Sequence, residues 1–124
     1  MAEHNAQLEY RGSLVAATLA YYLRQPFDRH NYFLPPGGSN IAGCIGFVNA
    51  AFELKQQIDT GALPEPDHIV CAVGSGGTLA GLTLGCQLAG LNCRVLGIRV
   101  APARVGIIPV CTTKTIARLQ HQTY

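Results

Sequence analysis

Apolar side chains in the first thirty residues fall at helical spacing. Leu8, Val15, Leu19 and Tyr22 lie near one face, and Pro26 closes the pattern. Tyr32-Phe33-Leu34 then reads as a short strand stopped by Pro35 and Pro36. The run Pro35-Pro36-Gly37-Gly38-Ser39-Asn40 is a rigid turn, and Ser39 or Asn40 can cap the helix that follows. In that helix, predicted from Ile41 to Ile58, Ile41, Cys44, Ile45, Val48, Ala51 and Phe52 recur opposite Asn49, Glu53 and Gln56. Gly61, Pro64 and Pro66 mark the exit loop.

His68 to Val73 is a continuous apolar run, the kind buried on both faces of a parallel sheet. Gly74-Ser75-Gly76-Gly77-Thr78 follows, then a helix from Leu79 to about Ala89 that is apolar nearly all round and so expected to be deeply buried. Gly90 stops it, and Arg94 to Val100 is the next strand. Beyond Pro102 the pattern weakens: Ile107 to Cys111 suits a short strand of open pairing, and Thr113 to His121 a last helix. Strands alternating with helices over short connections imply right-handed crossovers and a parallel sheet. The expected fold class is α/β, a small three-layer Rossmann-like unit of three or four strands, with residues 1–124 as a single domain.

Composition narrows the partners. The chain has 124 residues, 48% hydrophobic and 13% charged, which excludes a disordered tail. Its net charge is +2, and the basic residues are scattered, so neither nucleic acid nor an anionic membrane is the expected partner. The cysteines at 44, 71, 86, 93 and 111 are odd in number and form no Cys-x-x-Cys pair. They read as small buried hydrophobes in a reducing compartment, and no metal site is expected. Ser13 to Leu23 is too short to span a bilayer and is followed by no small-x-small cleavage site, so the expected location is the cytoplasm.

In a parallel α/β unit, ligands sit beyond the carboxyl ends of the strands. Two glycine-rich turns fall in such positions, Gly37-Gly38-Ser39-Asn40 and Gly74-Ser75-Gly76-Gly77-Thr78. The second joins a strand directly to a helix, where the first amides have no partner within the helix. Its glycines allow close approach of an anion, Ser75 and Thr78 add hydroxyl donors, and the helix dipole favours negative charge. A phosphate cradle formed by Gly74, Ser75, Gly76, Gly77 and Thr78 is the functional reading. A tight turn that binds nothing is the bland one. A dinucleotide fingerprint would need glycine at Leu79, a Walker loop a lysine, and a nucleophile elbow glycine at Val73. The first turn leans towards a structural role.

The two turns carry a resemblance. Pro35 to Asn40, Gly43, Gly46-Phe47-Val48, Ile69-Val70 and Gly74 to Leu82 resemble the D-cysteine desulfhydrase and 1-aminocyclopropane-1-carboxylate deaminase family. These are pyridoxal-phosphate enzymes of the tryptophan-synthase β fold, and the likeness spans about Tyr32 to Val100. It implies that the unit is part of the family's large domain. It also implies that the loop matching Gly74 to Thr78 holds the phosphate of pyridoxal phosphate. No catalytic role transfers to Ser39 or Asn40. Family enzymes are longer and hold the cofactor through a Schiff-base lysine in a segment before the matched region. The only lysines here are Lys55 and Lys114, neither in such a motif.

The expectation is therefore a non-catalytic fragment or remnant of a pyridoxal-phosphate-dependent lyase or deaminase. It would keep a phosphate loop that binds the cofactor, or another small phosphorylated ligand, weakly and without a covalent bond. The apolar surface of a half-domain should be covered by self-association, as a two-fold homodimer, with the helix around Leu14 to Leu23 a candidate for the covering element. Two alternatives stand beside it: an active enzyme completed by another chain, and a purely structural interaction module.

Overall fold

The computed structural model describes residues 10–24, 30, 32, 34–102, 104–105 and 108–109. The chain divides into two compact units, Met1–Phe33 and Leu34–Tyr124. In the first, helix α1 spans Leu14–Arg24. Ser13 caps it, its Oγ accepting from the Ala16 amide at 3.2 Å. Leu8 and Pro26, the ends of the predicted pattern, lie outside the described residues.

The second unit is built from helix α2 (Ile41–Asp59), strand β1 (His68–Val73), helix α3 (Gly77–Leu88) and strand β2 (Arg94–Arg99). β1 and β2 pair in parallel, His68 opposite Arg94 through Val73 opposite Arg99. With α3 between them they form one βαβ crossover, so the α/β class with a parallel sheet is what the chain adopts. The sheet has two strands among the described residues where three or four were expected. Tyr32 and Leu34, read as strand, belong to none, and Phe33 lies outside the described residues. After Pro102, β3 (Arg104–Val105) pairs antiparallel with β4 (Ile108–Pro109) as a small separate hairpin. The helix expected over Thr113 to His121 lies outside the described residues, as does Cys111.

The core forms where α2, α3 and one sheet face meet. Ala51, Cys86 and Leu91 are buried together, with Leu54, Ile58, Ile69, Cys93 and Val95 packed around them. Ile69 and Val95 are partners in register, which places this cluster on one face of the sheet. On the opposite face the strand side chains are exposed. Val70 is 63% exposed, Ile98 56% and, just past β2, Val100 67%. The continuous apolar run of β1 thus alternates in burial instead of being covered on both sides. α3 is likewise less enclosed than expected, because its last residue, Leu88, is exposed while Ala80, Leu84 and Cys86 are buried. It ends as Gly90 predicts, with φ +68° and the Leu91 amide bonded back to the Cys86 carbonyl at 3.0 Å.

α2 and α3 lie against each other along a seam of small residues. Gly77, Gly81 and Gly85 recur every fourth position on α3, so they share one face. A methyl group on Gly81 would sit 2.5 Å from the Cys44 carbonyl oxygen and 2.7 Å from Phe47 Cβ. On Gly85 it would sit 2.7 Å from Ala51 Cβ and 2.8 Å from Val48 Cα. The backbones therefore approach where no side chain intervenes, and Cys44, fully buried, donates its thiol to the Gly77 carbonyl at 3.6 Å. This seam brings the starts of the two helices together.

Candidate functional site

The loop from Gly74 to Thr78 connects β1 to α3 at the carboxyl end of the strand. Gly76, the N-cap of α3, has φ +96°, a left-handed conformation that requires glycine, and it offers no side chain to cap the helix. The first amide of α3 with an intrahelical acceptor is that of Ala80, bonded to the Gly76 carbonyl at 3.0 Å. Among the described residues, the amides of Ser75, Gly76, Gly77, Thr78 and Leu79 meet no acceptor. The Thr78 hydroxyl meets none either among those residues, so donors of two kinds remain at one helix start.

The other glycine turn closes on itself. Pro35 accepts from Gly38 N–H at 2.8 Å, and Gly38 from Asn40 N–H at 2.9 Å. The Asn40 side chain then caps α2 by accepting from the Gly43 amide at 2.8 Å. Of the two capping candidates, Asn40 does the work and Ser39 is released from it.

The structure brings these turns into contact. Ser39 Oγ donates to Ser75 Oγ at 2.6 Å, across 36 residues of sequence. Gly77 and Gly37 make room for this pair: a methyl on Gly77 would lie 2.8 Å from Ser39 Oγ, and one on Gly37 would lie 2.9 Å from Ser75 Cβ. Both hydroxyls sit one residue before a helix N-cap, so the positive ends of α2 and α3 act on the same region. Neither helix carries an acidic residue in its first turn to offset that field.

The glycines of the second turn separate by cause. Gly76 is required by its φ and Gly77 by Ser39. Gly74 has no positive φ, and a methyl there would meet nothing within 4 Å. The space at the mouth of the loop is therefore open beside uncommitted amides, which is the shape an anionic group needs.

Among the described residues, the thiol that reaches this loop is that of Cys44, held by the Gly77 carbonyl, and no amine joins it. The Lys55 ammonium pairs with Asp59 four residues on along α2. At 1.5 Å rise per residue it lies about 21 Å along the helix from Ile41. Lys114 is outside the described residues. Burial pushes the Cys71 thiol up. Burial, then a hydrogen bond and charge interaction with Cys93, pushes Cys86 up to about 11. These thiols stay protonated near neutral pH and are packing groups, not nucleophiles. Among the described residues, no helix is long and apolar enough to cross a membrane.

A parallel βαβ unit with a glycine-rich helix start at the carboxyl end of its first strand defines the chain as an α/β protein. The chain belongs to the pyridoxal-phosphate dependent enzyme family, whose model matches residues 1–120. Within that family it is 46% identical over 78 residues to a putative 1-aminocyclopropane-1-carboxylate deaminase of Thermotoga maritima, covering 63% of this chain and 24% of that protein. It is 35% identical over 98 residues to the mitochondrial bifunctional D-cysteine desulfhydrase/1-aminocyclopropane-1-carboxylate deaminase of Arabidopsis thaliana, covering 74% and 24%. With the D-cysteine desulfhydrase of Klebsiella pneumoniae it shares 37% over 78 residues, covering 63% and 23%. The resemblance read from the two glycine turns is thus borne out, and the chain spans about a quarter of the length of these curated relatives.

The sequence places Gly37 and Ser39 in a glycine turn at a ligand position but does not join that turn to Ser75, and it does not single out Gly81 or Gly85 as the seam. The glycine seam has a local signal, the four-residue spacing of Gly77, Gly81 and Gly85. The Ser39–Ser75 contact has none, because it exists only once α2 and α3 are docked.

Proposed function

We propose that the Gly74–Thr78 loop holds the phosphate of pyridoxal phosphate. The observation that carries this reading is the set of uncommitted amides from Ser75 to Leu79, opening onto free space at Gly74. These amides, the Ser75 and Thr78 hydroxyls and the dipole of α3 are the donors a phosphate takes. When bound, the cofactor supplies an electron-withdrawing ring that stabilises negative charge developing on an attached amino acid. The chain's part is to anchor and orient it: Gly76 and Gly77 set the path of the loop, and the α2–α3 seam keeps that loop in place.

The described unit binds and does not convert. Lys55, the one lysine among the described residues, is paired with Asp59 far along α2, so among those residues no amine faces the loop to join the cofactor or move a substrate proton. The deaminase and desulfhydrase activities in the relatives' names belong, for this sequence, to a longer protein or to a complex with a chain that supplies the lysine. Equilibrium dialysis against pyridoxal phosphate, with and without excess inorganic phosphate, tests the site. Saturable uptake that phosphate displaces supports it, and uptake indifferent to phosphate would refute it. Turnover of D-cysteine or 1-aminocyclopropane-1-carboxylate by the purified chain with added cofactor would overturn the non-catalytic reading.

A second reading concerns assembly. The sheet face with Val70, Leu96, Ile98 and Val100 exposed favours self-association, two copies covering each other's apolar face as a homodimer. Light scattering after gel filtration is expected to give twice the chain mass. A monomer at micromolar concentration refutes it.

A further inference from the structure

We infer that Ser39 is a positioning residue of the cofactor site, orienting the Ser75 hydroxyl towards the phosphate; this rests on the reading of Gly74–Thr78 as the phosphate loop. A serine hydroxyl has one proton to give and two lone pairs to receive. Ser39 Oγ donates to Ser75 Oγ at 2.6 Å, which occupies a lone pair of Ser75 and leaves its own proton free. Among the described residues that proton meets no acceptor. A hydroxyl that already accepts a short hydrogen bond is polarised and donates more strongly to the next acceptor. Ser75 thereby becomes a directed donor at the edge of a loop whose amides are also uncommitted.

The surroundings leave this pair little freedom. Ser39 is wedged against Gly77, its Oγ, Cα and Cβ 2.8, 3.3 and 3.4 Å from where a methyl group there would sit. Gly37 leaves room for the Ser75 side chain in the same way. Ser39 is not needed to cap α2, since Asn40 does that. Its hydroxyl is therefore committed to Ser75, and the turn it belongs to acts as the outer support of the phosphate loop.

A double-mutant cycle on the full chain separates this role from a simple staple between the turns. Dissociation constants for pyridoxal phosphate, displaced by inorganic phosphate, are measured for wild type, Ser39→Ala, Ser75→Ala and the double variant, with melting temperatures for each. Removing either hydroxyl is expected to weaken binding about three- to tenfold. In the Ser75→Ala background, Ser39→Ala is expected to add less than about twofold, because Ser39 works through Ser75. Independent, multiplying losses would overturn the inference, as would a lower melting temperature with unchanged affinity. Should Ser39→Ala fail to fold, Ser39→Cys keeps the shape with a weak donor, and the same coupling is read from it. Wild-type protein that takes up no cofactor overturns the phosphate-loop reading, and this inference with it. Binding lost in Ser75→Ala but untouched in Ser39→Ala overturns the inference alone.

Discussion

The starts of α2 and α3 are built from similar residues and finished differently. Each follows two glycines and a serine, Gly37-Gly38-Ser39 before α2 and Gly74-Ser75-Gly76 before α3, and they stand against each other through Ser39 and Ser75. At α2 the turn satisfies itself, with Asn40 closing the helix over the Gly43 amide. At α3 the N-cap is a left-handed glycine with nothing to offer, and the amides behind it stay uncommitted. An internal cap stabilises its own helix, whereas an absent one leaves amides uncommitted. A glycine-rich turn is thus informative about ligands only once its hydrogen bonds have been followed to their ends.

Substitutions can break or sharpen this contrast. The largest effect is expected from Gly81→Val, which forces α3 away from Cys44 and Phe47, costs about 3 kcal/mol and separates the two starts. Chemical denaturation measures it, and a loss below about 1 kcal/mol would mean that the seam is loose. Gly74→Val comes next and acts on binding alone. It fills space that the chain leaves empty, so the affinity for phosphate-displaceable pyridoxal phosphate should fall at least tenfold, about 1.4 kcal/mol, at unchanged melting temperature. Gly76→Val is a poorer probe of the loop, because its φ of +96° makes any side chain strained. Asn40→Ala should do the reverse of Gly74→Val, costing about 1 kcal/mol of stability with phosphate affinity intact. Equal effects of the two on binding would erase the distinction between the helix starts.

The smallest effect is the pH dependence from Cys86. Its folded pKa of about 11 lies above the ordinary 9.0, so above pH 9 the unfolded chain releases the proton first. Stability from this group is complete below that pH and declines as pH rises through 9 to 11. The decline should become shallower in Cys86→Ala, the part due to the likewise raised Cys71 thiol remaining, as measured by denaturation at several pH values.

Much of this arrangement is legible in the sequence because it is local. The α2 period places its end one residue from the observed Asp59, and the apolar run of β1 matches His68–Val73. α3 begins at Gly77, two residues before the predicted Leu79, because Gly77 and Thr78, which read as loop, already have helical geometry there. The strand count and the exposed sheet face were not legible. An apolar run such as Ile69-Val70-Cys71-Ala72 announces a demand for cover without saying what covers it, and here Val70 and Ala72 remain exposed. The Ser39–Ser75 pair depends on docking across 36 residues, which no local pattern encodes.

The glycine seam has a calorimetric consequence. Where Gly81 and Gly85 meet Cys44, Val48 and Ala51, the helices touch mainly through backbone and small side chains, so their adhesion owes more to short-range dispersion than to apolar area removed from water. Heat capacity follows that area. Detaching α2 from α3 should therefore absorb heat with a small change in heat capacity, and the enthalpy of that joint should stay nearly constant from cold to warm.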